Sequence, residues 1–300
     1  MSKRMNALRL RLTDVIDLRR SRRVDIKDVE SVCLALGPYR NLTTLTASVL
    51  FLHPDCQVLN HAGARIFGKK QIDFLADFST GKLDRFIQFA ITISGKGTSG
   101  DLGGSVTHSH AFESQHEMRD RYDGSGLALI KNNIKCLFWK ESLRTSNLIR
   151  ERHIDLSKIF DRDPRPRFLL PIRHPLDCAV SNLKSRHCEL FPGLDKNSSV
   201  ADTVQAILDE IFWFAELKEN HPERFFYFFE HEISAGMLVN LAEFLGLEPE
   251  EEWIANALSV MKIKSGYSHD QESIQFYKDY ITGKKTRFPD LCDGLLSFTE

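Results

Sequence analysis

No C-x-x-C pair, no clustered Cys/His set and no H-E-x-x-H stretch occurs in this sequence of 300 residues. A structural zinc site or a zinc hydrolase centre therefore has no ligands in motif form, and no metal is expected. The six cysteines (Cys33, Cys56, Cys136, Cys178, Cys188, Cys292) are scattered, mostly within apolar stretches. That is how small reduced core residues are placed, and it points to a reducing, cytoplasmic setting. No apolar run approaches the ~20 residues of a membrane-spanning helix. No apolar stretch follows the basic start, so the N-terminus does not read as a signal peptide. A net charge of −1 leaves no global field to draw the chain to nucleic acid or to a membrane. The Walker motif G-x-x-x-x-G-K-[ST] is absent as well. There is no internal repeat, no long low-complexity tract and no dividing linker, so residues 1–300 are expected to form a single domain.

What is present is an alternation of short apolar runs with helical patterns. The runs Ser31–Leu36, Cys56–Asn60, Lys135–Trp139, Arg167–Ile172 and Phe225–Phe229 are continuously apolar or nearly so, as strands buried on both faces are. Helices are expected at Thr43–Leu52, Leu176–Lys184, Ala201–Asn220, Ser234–Leu245 and Glu250–Met261. This alternation predicts an α/β fold, a parallel sheet flanked by helices. Residues 1–30 form a basic arm or helix, with nine Lys or Arg against five acids. Its simplest role is a solvated arm; contact with an acidic partner is the alternative. Ser94–Ser109, rich in Gly, Ser and Thr, reads as a mobile loop that helps select an acceptor. Ser265–Asp290 fits no element well.

Two segments carry the chemistry. After the first strand, Gly37–Pro54 turns directly into a helix. That geometry aims backbone N–H groups at one spot and suits an anion. Arg40 adds a fork for two oxygens, and Thr43 and Thr44 add hydroxyls. An ordinary strand-to-helix turn with a Thr cap is the plainer alternative. In the second segment, Arg167–His187, a buried strand ends at Ile172. Arg173 stands at its C-terminal end, where open α/β sheets bind ligands. Pro175 starts a helix, and Ser181 follows two turns in. Arg173 with Ser181 would hold a second phosphate; a surface Arg and a packed Ser are the alternative.

These residues resemble those of the sulfotransferases that use PAPS (3′-phosphoadenosine 5′-phosphosulfate). Arg173, Pro175, Asp177 and Ser181 match that family's R-x-P-x-D-x-x-x-S segment, which implies 3′-phosphate binding. Pro38–Thr44, PYRNLTT, is similar to its 5′-phosphosulfate loop, with Arg40, Thr43 and Thr44 in register. Asn41 and Leu42 replace the usual Ser-Gly, placing a side chain where backbone approaches phosphate. Phe226–Glu252 looks like a later family region. Ile281–Phe288, with Gly283, Lys284 and Lys285, looks like the late basic loop that closes over the donor. The resemblance spans residues 31–290 and implies a P-loop-like, sulfotransferase-like five-stranded parallel sheet.

Sulfuryl transfer would need an in-line arrangement, cations for the leaving group and a base for the acceptor proton. Arg40 and Lys140, the latter ending a strand, are the expected cations. His61 and Glu141 are the rival bases. His108 and His110 could reach the acceptor from the Ser94–Ser109 loop. The acceptor, a carbohydrate, lipid, peptide or small metabolite, is not specified. A P-loop kinase-like phosphotransferase and a non-catalytic nucleotide-binding scaffold are the competing readings.

Overall fold

The computed structural model describes residues 3–97, 103–114, 116–263 and 267–299. In chain order, the first half runs α1 (Lys3–Ser21), β1 (Ser31–Ala35), α2 (Thr43–Phe51), β2 (Cys56–Asn60), α3 (Gly63–Ile66), α4 (Thr80–Ser94), β3 (Gly104–Ser105), α5 (His110–Ser114) and α6 (His116–Gly124). There follow β4 (Cys136–Lys140), α7 (Ser142–Glu151), α8 (Ser157–Phe160), β5 (Pro166–Ile172), α9 (Pro175–Ser185), α10 (Val200–Asn220) and β6 (Phe225–Phe229). Helices α11 (Ala235–Leu245), α12 (Glu251–Val260), α13 (Gln271–Thr282) and α14 (Pro289–Leu296) complete it.

The strands form a six-stranded sheet in the order β3-β2-β4-β1-β5-β6. Every pairing is parallel except the short β2–β3 edge, which is antiparallel. The five expected strands are present within a residue or so. The sixth, β3, lies where a loop was expected. Gly104 and Ser105 pair with Asn60 and Leu59, and Val106, Thr107 and Ser109 are buried. Within Ser94–Ser109, Ser94 belongs to α4 and residues 98–102 lie outside the described residues.

Strands β1, β2 and β4 are buried along their whole length. Their apolar side chains feed two cores, one on each face of the sheet. One face packs Leu34, Trp139, Phe168 and Leu170 against α4, α9 and α10. The other packs Cys33, Phe138 and Leu169 against α2, α11 and α12. Burial on both faces explains why the strands read as unbroken apolar runs instead of alternating ones. All six cysteines are free and buried. No described helix is long and apolar enough to cross a membrane.

The chain leaves β1 toward β4 and β2 on one side and toward β5 and β6 on the other. This reversal of strand order opens a crevice at the C-terminal sheet edge. Residues 37–42, His61, Glu141 and Arg173 all follow directly on strands there.

Candidate functional site

Strand β1 ends in a turn that only a few backbone conformations can make. Gly37 takes φ +85, and a Cβ there would meet Leu170 Cδ1 at 2.3 Å. Arg40 and Leu42 also lie in the left-handed region, at φ 62 and 60. Leu42 itself takes the left-handed conformation that a glycine would favour, at the N-cap of α2. No side chain caps that helix end, so its first-turn amides are left for another acceptor; Thr43 beside them is buried and Thr44 partly exposed.

The loop is held from below. Asn41, fully buried, donates from Nδ2 to the Pro171 carbonyl at 2.5 Å and accepts the Arg173 amide on Oδ1 at 2.8 Å. Both ends of its side chain are thus bonded to protein, and it acts as a strut, leaving its backbone amide as the group that could serve an anion. Asn182 and Cys178 of α9 donate to the Tyr39 carbonyl at 2.8 and 3.3 Å. These contacts bring the two phosphate-type segments together. Arg40 Nε donates to Ser181 Oγ at 2.9 Å.

Arg173 lies at the mouth of β5, its Nη2 3.4 Å from Asp177 and its Nε 4.0 Å from Glu230. Asp177 also bonds His269 Nε2 at 2.8 Å. His174, Asp177 and His269 place ligand-type atoms within 4.8 Å of one another. The Arg173 guanidinium beside Asp177 opposes a cation there. Burial lowers the His174 imidazole to about 4, against the pull of Asp177 and with that of His269 and Arg173.

On the other side of the loop, β2 and β4 end together. Lys140 Nζ lies 3.0 Å from His61 Nε2, and His61 Nδ1 lies 3.8 Å from Glu141 Oε1. Glu141 is fully buried, yet both its oxygens are occupied: Tyr39 Oη donates to Oε1 at 3.0 Å and the Gly63 amide to Oε2 at 2.9 Å. Burial acts to raise its carboxyl pKa, but His61 and the Gly63 amide hold it below the usual range. Of the two rival bases, only His61 remains reachable, its side chain 24% exposed against none for Glu141. Burial lowers Lys140 to about 8, with Glu141 opposing and nearby Arg40 assisting.

Sequence reasoning missed several neighbours. Burial lowers the His187 pKa, and Arg40, Lys140, His61 and Arg144 lower it further. The Tyr39 and His187 rings lie 5.3 Å apart. Arg144 lies in the first turn of α7, just after β4. His108 is exposed on its short turn, and His110 opens α5.

Sequence comparison finds no matching family model and no matching curated protein. The solved structures that resemble the chain include several sulfotransferases. Mouse sulfotransferase SULT7A1, complexed with PAP, aligns at TM-score 0.44 and 11% identity over 94% of this chain and 92% of that one. Sulfotransferase STF9 from Mycobacterium avium aligns at 0.42 and 12% over 91% and 80%. The sulfotransferase domain of the Synechococcus PCC 7002 olefin synthase aligns at 0.41 and 12% over 83% and 94%.

One expected sulfotransferase element is placed elsewhere. Ser265–Asp290 is mainly helix α13, and Gly283, Lys284 and Lys285 follow its C-terminal end. Lys285 pairs with Asp293 at 2.7 Å, and Lys284 lies over Phe212 and Tyr280. The end of α13 that meets the site is the other one, through His269. With 12 residues at ~1.5 Å each, the helix puts ~18 Å between them. Gly283, Lys284 and Lys285 do not join the cluster.

Proposed function

We propose that this chain transfers a sulfuryl group from PAPS to a hydroxyl- or amine-bearing acceptor. The observation that carries the reading is the Arg40–Ser181 hydrogen bond of 2.9 Å. It joins a strand–turn–helix anion loop to the Arg173–Ser181 segment, so one nucleotide with anionic groups on the 3′ and 5′ positions of a single ribose could meet both.

In this reading the 5′-phosphosulfate lies on the amides of residues 41–44 with Arg40, Thr43 and Thr44. The 3′-phosphate lies against Arg173 and Ser181, held by charge-assisted hydrogen bonds. The acceptor oxygen attacks sulfur as the bond from sulfur to the 5′-phosphate oxygen breaks. His61 receives the acceptor proton on Nε2, which requires Lys140 Nζ to leave its 3.0 Å contact with that nitrogen and turn to the departing phosphate oxygen. Glu141 faces the Nδ1 side of the ring, fixing the ring and stabilising the imidazolium that forms. Arg40 and Lys140 balance the charge gathering on the departing phosphate oxygen. PAP is released.

Calorimetric titration with PAP and with ATP tests the reading. PAP binding that is tight and preferred over ATP is the expected result. Preference for ATP would assign a phosphotransferase, and failure of both to bind would leave a scaffold.

A further inference from the structure

Helix α1 is seated with its polarity inverted. Among residues 12–21, those it turns inward include two acids, Asp14 and Asp17, both buried, beside buried Ser21 and the partly buried Leu18. Arg65 of α3 donates from Nε to Asp14 at 2.8 Å and from Nη2 to Asp17 at 2.9 Å. Lys69 stands 3.3 Å from Asp14, and Lys96 2.8 Å from Asp17. The residues it turns outward are apolar. Leu12, Val15 and Ile16 are 58%, 47% and 48% exposed, three of the five large hydrophobics so exposed among the described residues. Their spacing puts them on one helical face. Arg19 and Arg20 follow one turn on, then Arg22 and Arg23, and all four are exposed.

Rotating the helix to cover its apolar stripe would leave Arg65, itself buried, without its two carboxylates. An unpaired buried charge is far costlier than a few exposed aliphatics. The ion pairs therefore hold the stripe outward.

The geometry points to this face as a seat on an anionic bilayer surface. Leu12, Val15 and Ile16 would enter the boundary between headgroups and acyl chains, while Arg19, Arg20, Arg22 and Arg23 meet lipid phosphates and carboxylates. Charge complementarity selects this occupant. Four exposed arginines in five positions seek a dense negative surface, and an apolar stripe beside them seeks a hydrocarbon layer at the same height. The helix lies in the plane of the interface and does not span it.

Co-sedimentation of the full chain with lipid vesicles tests this, at low salt. Binding is expected with vesicles containing phosphatidylserine and not with phosphatidylcholine alone. Changing Leu12→Ser, Val15→Ser and Ile16→Ser together should weaken it at least ~10-fold, since each buried side chain contributes severalfold. Changing Arg19→Glu and Arg20→Glu should weaken it by roughly fivefold or more per residue. Thermal melts confirm that these surface variants stay folded, and PAP titration reports the nucleotide site separately. Absence of binding to anionic vesicles, or binding unchanged in both variants, overturns the proposal. So does a dimer that the serine variant converts to monomer in sedimentation equilibrium, which would give the face to a second copy of the chain.

Discussion

Replacing Lys140 by methionine should make the protein more stable and inactive at once. Lys140 is only 5% exposed. Burial, with help from Arg40 and against Glu141, lowers its ammonium from 10.5 to about 8. Below pH 8 the lysine is protonated in both folded and unfolded chains, so the folded protein carries the cost of burying the charge. At ~1.4 kcal/mol per unit, that interval amounts to about 3 kcal/mol. Between pH 8 and 10.5 the unfolded chain holds more protons than the folded one, so stability rises with pH and the penalty fades. Methionine keeps the aliphatic stem and removes the charge at every pH. It also removes the contact with His61 Nε2, worth ~1 kcal/mol. A net gain of about 2 kcal/mol at pH 7 is expected, shrinking toward pH 10. Urea unfolding of wild type and Lys140→Met at the two pH values measures it, provided both have the same dependence on urea. Single-turnover sulfuryl transfer should be lost in the variant. A variant less stable than wild type at pH 7, or a gain that persists undiminished at pH 10, would refute the burial argument.

Three other predictions follow from the same geometry. Arg173→Ala and Ser181→Ala should each weaken PAP binding, Arg173→Ala by ~1.5 kcal/mol or more because it removes a charge-assisted contact; titration calorimetry reads this, and unchanged affinity in both removes the 3′-phosphate assignment. His61→Ala should slow the chemical step ~100-fold or more with PAP affinity nearly intact, and Glu141→Gln should slow it less. If Glu141→Gln abolished the rate while His61→Ala kept it, the proton would go to Glu141 instead. Leu42→Gly should raise the melting temperature: it relieves a left-handed leucine, worth ~1–2 kcal/mol, against ~0.5–1 kcal/mol of added chain entropy. A lower melting temperature would mean that the Leu42 side chain supports the loop by packing.

Five strands were legible because burial on both faces writes them as continuous apolar runs. The two segments placed at the sheet edge were legible because Gly37 and Pro175 punctuate strand-to-helix turns. What escaped was set by distance along the chain. Glu141 looked like a free carboxylate because Tyr39 and Gly63, which occupy its oxygens, lie 102 and 78 residues away. The strut role of the Asn41 side chain was hidden for the same reason, since its partners Pro171 and Arg173 lie 130 and 132 residues away. Helix α13 was read as irregular because its polar and aromatic mixture ends in Gly-Lys-Lys, a pattern shared by loops. The basic count of the first thirty residues gave no hint of α1's orientation, which depends on Arg65, in a helix later in the chain.

Asn41 makes two distant stretches of chain dependent on one another. It donates to Pro171 and accepts from Arg173, so its site requires a short side chain with one donor and one acceptor at its tip. Aspartate would set a carboxylate against the Pro171 carbonyl. Serine would be too short to reach both. Glutamine would push the loop away from the sheet. Position 41 therefore has almost no freedom to drift, whereas Leu42 beside it can change. Anyone moving the anion loop into another scaffold would have to carry residues 171–173 with it, or it would arrive without its floor.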